Sequence, residues 1–354
     1  MGIGRREEMV MREKTIDWIL WAAFLVLVCG FLIFHTSAGR KALGREEVPE
    51  FVLTYAENQA EDYPTTQGAY RFAQLVHEKT EGKVEIQVNA GGSMGDEKAV
   101  IEQLQFGGVD FARVSLSPLA EFVPKLNVLQ MPYLYSSREH MWKVLEGPVG
   151  ADFMGSFGNS GMIPLAWYDA GARSFYCTAS PIRTLEDMKG RKIRVQESEL
   201  MMDTMEALGA VPVPMAYGEV YSGLQTGVID GAENNWPSYE STRHYEVARY
   251  FTLDEHTRVP ELQLAAQSTW NKLPKKYQEI IEDCAKESAL YERGLWAARE
   301  KTSRERVQAD GCQVNTLSQE EKERFRQASA PLYDKYCSEY EDIIQAIIQE
   351  EDRD

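Results

Sequence analysis

A chain of 354 residues, 44% hydrophobic with 10% aromatic and 26% charged, is globular in composition and long enough for two or three ordinary domains. Its 55 acidic against 38 basic residues leave a formal net charge of -17, which argues against nucleic acid as a partner, because that partner demands basic stripes. An anionic small molecule must bind against this field, so it needs arginine or lysine placed locally.

The N-terminal Arg5, Arg6, Arg12 and Lys14 precede the apolar run WILWAAFLVLVCGFLIF, residues 18–34. That run is at the short limit for a spanning helix and longer than a typical signal core. Small residues at Thr36 and Ala38 offer a cleavage site, so residues 1–38 are a signal peptide or an uncleaved membrane anchor. Either way the remainder is exported, to a periplasmic or extracytoplasmic position. Residues 39–49 (GRKALGREEVP) read as a linker. Of the five cysteines only Cys29 lies in the apolar run; Cys177, Cys284, Cys312 and Cys337 are expected to be buried or free, with one pairing left open.

From residue 50 strands and helices alternate. EFVLTYA (50–56) reads as a strand, and residues 66–80 as a helix with Phe72, Leu75 and Val76 on one face. KVEIQV (83–88) alternates with period two, GDEKAVIEQLQFG is helical, and GVDFARV is again a strand. The rhythm continues through GMIPLAWYD and KIRVQ, with helices at 197–208 and 217–227. This predicts an α/β fold with mostly parallel sheet. From Pro274 to Gly311 the chain has the pattern of one helix of over thirty residues, about three times the usual length. Such a helix suits either a solvated face or a strut across two lobes. A last helix is expected over about 318–350, ending in the acidic EEDRD.

Two arginines stand out chemically. Arg173 closes WYDAGAR, and Arg194 lies inside the apolar KIRVQ. A guanidinium within a buried strand needs a partner, because an isolated buried charge is prohibitively costly. An internal carboxylate is one such partner. A ligand carboxylate, held bidentately, is the other. The stretch DGAENNWPSY, residues 230–239, adds two carboxamides and a Trp-Pro after an Asp230-Gly231 turn signal. Trp236 is either a core plug or a platform for a ring. The histidines (His35, His77, His140, His244, His256) are scattered, and no zinc-type cysteine pair or phosphate-binding glycine loop appears, so neither metal nor cofactor is expected.

The run RKIRVQESELMMDTMEALGAVPVPMAYGEVYSGLQTGVIDGAENN resembles the signature region of the substrate-binding proteins of TRAP (tripartite ATP-independent periplasmic) transporters. The resemblance extends from about residue 50 to 345 and includes GGSMGDEKAVIEQLQFGGVDFAR and SPIRTLEDMKGRKIR. It implies a two-lobed periplasmic-binding-protein-like fold, each lobe a sheet flanked by helices, with the long helix spanning both. The first lobe then covers 50–170 and about 260–299, the second 171–259 and about 300–345, and 346–354 is an acidic tail.

By the same resemblance Arg194 is the main partner of a substrate carboxylate, Arg173 a second contact, and Asn234 the residue that orients the arginine or touches ligand. Asn58 and Glu97 fall on first-lobe ligand positions, Tyr217 on a packing aromatic, and Gln196 and Glu197 beside Arg194. Asn235 and Trp236 mark a departure, since many relatives carry DGQENP where this chain has DGAENNWP. That variant, with EDYPTTQG and EHTRVPE, resembles the branch taking sugar acids, especially hexuronates such as glucuronate or galacturonate. In EHTRVPE, His256, Arg258 and Glu261 are either further cleft residues or hinge structure.

The implied function is an extracytoplasmic receptor that binds a sugar acid between its lobes and delivers it to the membrane subunits. The alternatives are a receptor for a keto-acid, dicarboxylate or sialic acid, an exported sugar-acid enzyme using Glu97 or His256, or an anchored sensor.

Overall fold

The computed structural model describes residues 48–351; the expected export segment and nearly all of the linker lie outside the described residues. Among the described residues eleven strands form two sheets. The first sheet contains β1 (Phe51–Ala56), β2 (Val84–Asn89), β3 (Phe111–Ser115), β4 (Met162–Tyr168) and β10 (Glu261–Ala266), in the order β2-β1-β3-β10-β4. The second has the order β11-β9-β5-β8-β6-β7, from β5 (Ala172–Cys177), β6 (Lys192–Val195), β7 (Val211–Pro214), β8 (Gly231–Asn234), β9 (Tyr250–Arg258) and β11 (Gln313–Thr316). Each sheet is flanked by helices, and the architecture is a two-lobed α/β fold.

The sheets are mixed rather than mostly parallel. β1 pairs parallel with β2 and β3, and β6 with β7 and β8, where helices cross over. β10 runs antiparallel to β3 and β4, and β5 antiparallel to β8 and β9. The antiparallel strands are the ones that carry the chain between lobes. β4 leads into β5 through residues 169–171, and β9 into β10 through residues 259–260. Neither passage contains a crossover helix, so neither obeys the parallel βαβ rule that the alternating sequence suggests.

The long helix is Lys275–Ala309, and it is a strut across both lobes. Its Tyr277, Ile281, Cys284 and Ala289 join the core of the first sheet and of helix Pro64–Lys79. Farther along, Val307 packs into the second-lobe cluster with Tyr176, Trp236 and Phe251. Between them Arg299 binds Asp62 of the first lobe at 3.0 Å and the buried Glu240 of the second at 2.8 Å. Arg306 binds the same Glu240.

The single terminal helix expected over 318–350 is three: Gln319–Ser329, Pro331–Cys337 and Glu341–Glu350. Pro331, which lacks an amide hydrogen, marks the first break. Leu317 and Phe325 pack in the second lobe, but Leu332, Cys337, Ile344 and Ile347 pack into the first-lobe core. His140 Nε2 lies 2.7 Å from the Ile347 carbonyl oxygen. The segment 331–345 therefore sits on the first lobe, not the second as anticipated, because its apolar face is covered there. All four cysteines among the described residues are buried and free. No described helix is long and apolar enough to cross a membrane.

The Asp230-Gly231 turn signal is also corrected, since Gly231 opens β8. A Cβ there would lie 2.6 Å from the Tyr176 carbonyl oxygen and 2.8 Å from Cys177 Sγ. Gly231→Ala is therefore expected to destabilise the protein by about 1–3 kcal/mol through overpacking. Thermal denaturation of the purified variant checks this, and an unchanged Tm would show that β5 and β8 can separate at no cost.

Candidate functional site

Arg194 sits in β6 between Ile193 and Val195, hydrogen-bonded as backbone within the second sheet. Its side chain is buried yet faces a cavity of about 270 Å³ between the lobes. Nε and Nη2 donate to the Met215 carbonyl oxygen at 2.9 and 2.7 Å. Among the described residues no carboxylate lies within ion-pair distance of it. Burial, and the like charge of Arg173, hold its pKa below the ordinary arginine value. A desolvated guanidinium with one carbonyl as its hydrogen-bond partner keeps donors free to pair with an anion.

The cavity wall near Arg194 is polar. Asn58 follows β1, Gln196 and Glu197 follow β6, and Tyr217 begins the short turn before helix Val220–Thr226. Glu97 is the first residue of helix Glu97–Phe106, whose N-terminus is capped by Asp96 Oδ1 accepting from the Ala99 amide at 2.8 Å. Glu97 also links the lobes, because its Oε2 accepts from Gln196 Nε2 at 3.3 Å. Of the ten anticipated ligand residues, the structure brings six to this one cavity: Arg194, Asn58, Glu97, Tyr217, Gln196 and Glu197.

The other four stand behind it. Arg173 is buried and engaged: Nη2 donates to Glu233 Oε1 at 2.8 Å, and Nη1 to Asn234 Oδ1 at 3.1 Å. Its partner is thus the internal carboxylate, one of the two alternatives the sequence left open. Asn234 Oδ1 also accepts from the Asn235 amide at 2.8 Å. Asn235 is a helix cap, with Oδ1 accepting from the Ser238 amide at 2.8 Å and Nδ2 donating to Ala170 O at 2.9 Å. Trp236 stacks on Phe251 with ring centroids 3.7 Å apart inside the core, which is the core-plug alternative rather than the platform.

Two residues of the site were missed. Glu233, the ion partner of Arg173, lies within the quoted DGAEN run. Arg113, in β3, is buried beneath the first-lobe wall, where it binds Glu57, Asn58 and Glu97 and lies 3.2 Å from Glu261. It positions both Asn58 and Glu97. An arginine inside the apolar strand DFARVS raises the same question as Arg194 in KIRV, and that signal was available.

His256 stacks on Phe175 at 4.4 Å with Nδ1 2.9 Å from Asp254 and Nε2 3.6 Å from Glu233. Burial opposes its charge, but Asp254 and Glu233 outweigh burial and raise its pKa to about 9. Glu233, disfavoured by burial but facing Arg173 and His256, is lowered to about 2. Glu261 moves the other way, to about 8, because burial and the carboxylates Glu97 and Glu57 outweigh Arg113.

Residues 55–339 match the model of the family described as bacterial extracellular solute-binding protein, family 7 (DctP). A solute-binding protein of Chromohalobacter salexigens is 38% identical over 281 residues, 79% of this chain and 83% of that one. The TRAP periplasmic solute-binding protein of Roseobacter denitrificans, solved with bound β-D-glucuronate, superposes with TM-score 0.81 at 39% identity, over 84% of this chain and 98% of that one. Its counterpart from Xanthobacter autotrophicus, solved with bound β-D-galacturonate, has TM-score 0.81 and 40% identity, over 83% and 98% of the two chains.

The titrations give a pH dependence. Glu261 and His256 have folded pKa values above their ordinary 4.5 and 6.5, so the folded state holds more protons between those values and about 8 and 9. Stability from each is full below its ordinary value and is lost as pH rises. The losses overlap from pH 6.5 to 8, where each group contributes up to about 1.4 kcal/mol per pH unit. Urea unfolding across pH 6–9 should show this fall, and Glu261→Gln should make it shallower. An identical slope in the variant would contradict the raised Glu261 value. Glu233 acts oppositely, its contribution being lost as pH falls from 4.5 through about 2.

Proposed function

The chain belongs to the DctP family of bacterial extracellular solute-binding proteins, the receptors that serve TRAP transporter membrane subunits, and from that footing we propose that its ligand is a hexuronate of the glucuronate or galacturonate kind. The observation that carries this reading is Arg194, a buried guanidinium without a protein carboxylate, set in a wall of hydroxyl-matching groups. The uronates bound by the solved relatives support the choice of acid.

Arg194 clamps the carboxylate, with Nη1 unengaged and Nη2 sharing its donors with Met215 O. Asn58, Gln196 and the carboxylate of Glu97 meet the hydroxyls, the last as an acceptor only. Tyr217 offers its ring to the C–H side of the sugar. Arg173 lies behind Arg194, neutralised by Glu233, and acts on the ligand through Asn234 and through its field rather than by direct contact. The Arg113 cluster holds Asn58 and Glu97 in place from below. Closure of the lobes removes water and strengthens the arginine–carboxylate attraction. The ligand biases open against closed only by its differential affinity for the closed form. The cycle is binding, closure and delivery, with no covalent step. Incubation with uronates that yielded product at a useful rate would refute this.

Arg194→Ala should fold normally and lose the thermal stabilisation that D-glucuronate or D-galacturonate gives the unaltered protein. A ligand at about 100 times its Kd stabilises by about 2.7 kcal/mol, which a melting experiment resolves. Retention of the full shift would exclude Arg194 as the clamp. Asn234→Ala should weaken binding less, since Asn234 stands behind the cavity wall and bonds Arg173 rather than lining the cavity as Arg194 does. A larger loss would mean that the Arg173–Asn234 arrangement governs the site.

A further inference from the structure

A second cavity, of about 260 Å³, adjoins the first and shares Lys98, Pro118 and Glu197 with it. It too lies between the lobes, with Phe122 contributed by the first and Met202 by the second. Both are partly buried, each against its own lobe's core, so each turns some apolar surface to the cavity. Arg194 lines the first chamber and is absent from the second.

We propose that the two chambers form one binding site for a uronic acid joined by a glycosidic bond to a neutral sugar, with the acidic ring at Arg194 and the neutral ring between Phe122 and Met202. This rests on the hexuronate reading of the first chamber. A ring held by its carboxylate at Arg194 turns the remote carbons, the anomeric one among them, away from the guanidinium. Those are the positions that can carry a bond past Lys98 and Glu197.

The chemistry of the second chamber selects the second ring. Phe122, Met202 and Pro118 supply apolar surface for C–H faces, and Glu197 and Glu121 supply hydroxyl acceptors. A second acid is disfavoured. Glu121, Glu197 and Glu199 line the chamber against the single cation Lys98, and Lys335, which neutralises Glu199 at 3.0 Å, is also bound to Asp203. A metal is not the occupant, since no described group of acidic, histidine or cysteine residues could hold one. Because both lobes line the chamber, its occupant is enclosed by the same closure that encloses the first ring.

The test compares D-glucuronate with a glucuronosyl-linked neutral hexose by calorimetry, on the full exported protein and on Phe122→Ala and Met202→Trp. The first variant removes apolar surface and the second fills the chamber. Apo melting curves verify that each variant folds. The unaltered protein should bind the disaccharide at least as tightly as the monosaccharide. Phe122→Ala should weaken the disaccharide by about tenfold, the order expected for 1.4 kcal/mol of lost apolar contact, Met202→Trp should weaken it at least as much by occluding the second ring, and both should leave glucuronate within twofold. Binding of glucuronate alone would overturn the two-ring site while sparing the hexuronate reading. Equal weakening of both ligands by the variants would also overturn it. Failure of both ligands to bind the unaltered protein would overturn both proposals together.

Discussion

The cost of burying a guanidinium organises this molecule. Three arginines, Arg113, Arg173 and Arg194, stand on strands at the interlobe face, and all three are buried. Two are compensated internally, Arg113 by Glu57 and Glu97, Arg173 by Glu233. Arg194 alone of the three lacks a carboxylate. Arg173 and Arg194 carry like charges that oppose each other, and Glu233, which neutralises the first, also favours the charge of the second. Unpaired polarity is costly in proportion to its isolation, so the feature that weakens the empty fold is the one an anionic ligand would relieve.

The scaffold keeps that arrangement movable without losing register. The lobes are joined by two short strand-to-strand passages, by the helix Lys275–Ala309 and by the return of the chain at Ala330. Glu240 receives Arg299 and Arg306 from that helix, while Arg299 reaches back to Asp62. Polar contacts across the cleft include Gln196 to Glu97 and the Glu199 amide to Glu121, bonds that a ligand's hydroxyls can replace. Rigid connections on one side and exchangeable ones on the other are the physical makings of hinge closure.

Much of this was legible in the sequence. Period-two and helical patterns located β1 to β4, β6 and the helices between 64 and 106 and between 199 and 226, and the lack of a breaker after Pro274 announced the long helix; the segment 116–160 and strands β7 to β10 carried no such reading. Arg194 was legible because a charge inside KIRV violates its own strand. The mixed sheet was not legible, since strand direction depends on where the chain crosses between lobes and local pattern says nothing of that. Nor was the role of Trp236: an aromatic beside proline reads alike whether it stacks on Phe251 or on a sugar. Arg113 was passed over although it breaks its strand in the same way as Arg194. Its partners Glu57 and Glu261 are 56 and 148 positions away, and only folding brings them together.

The return of Ile344 and Ile347 to the first-lobe core has a mechanical consequence. The described chain starts at β1 and finishes at Glu341–Glu350 on the same lobe, and the second lobe is built from two insertions between, β5 to β9 and then β11 with the helix Gln319–Ser329. Whatever holds the protein by either end therefore grips the first lobe, and the second becomes the lever that swings. Tension or tethering at the ends does not pull the cleft open, because no line of force between them has to pass through it.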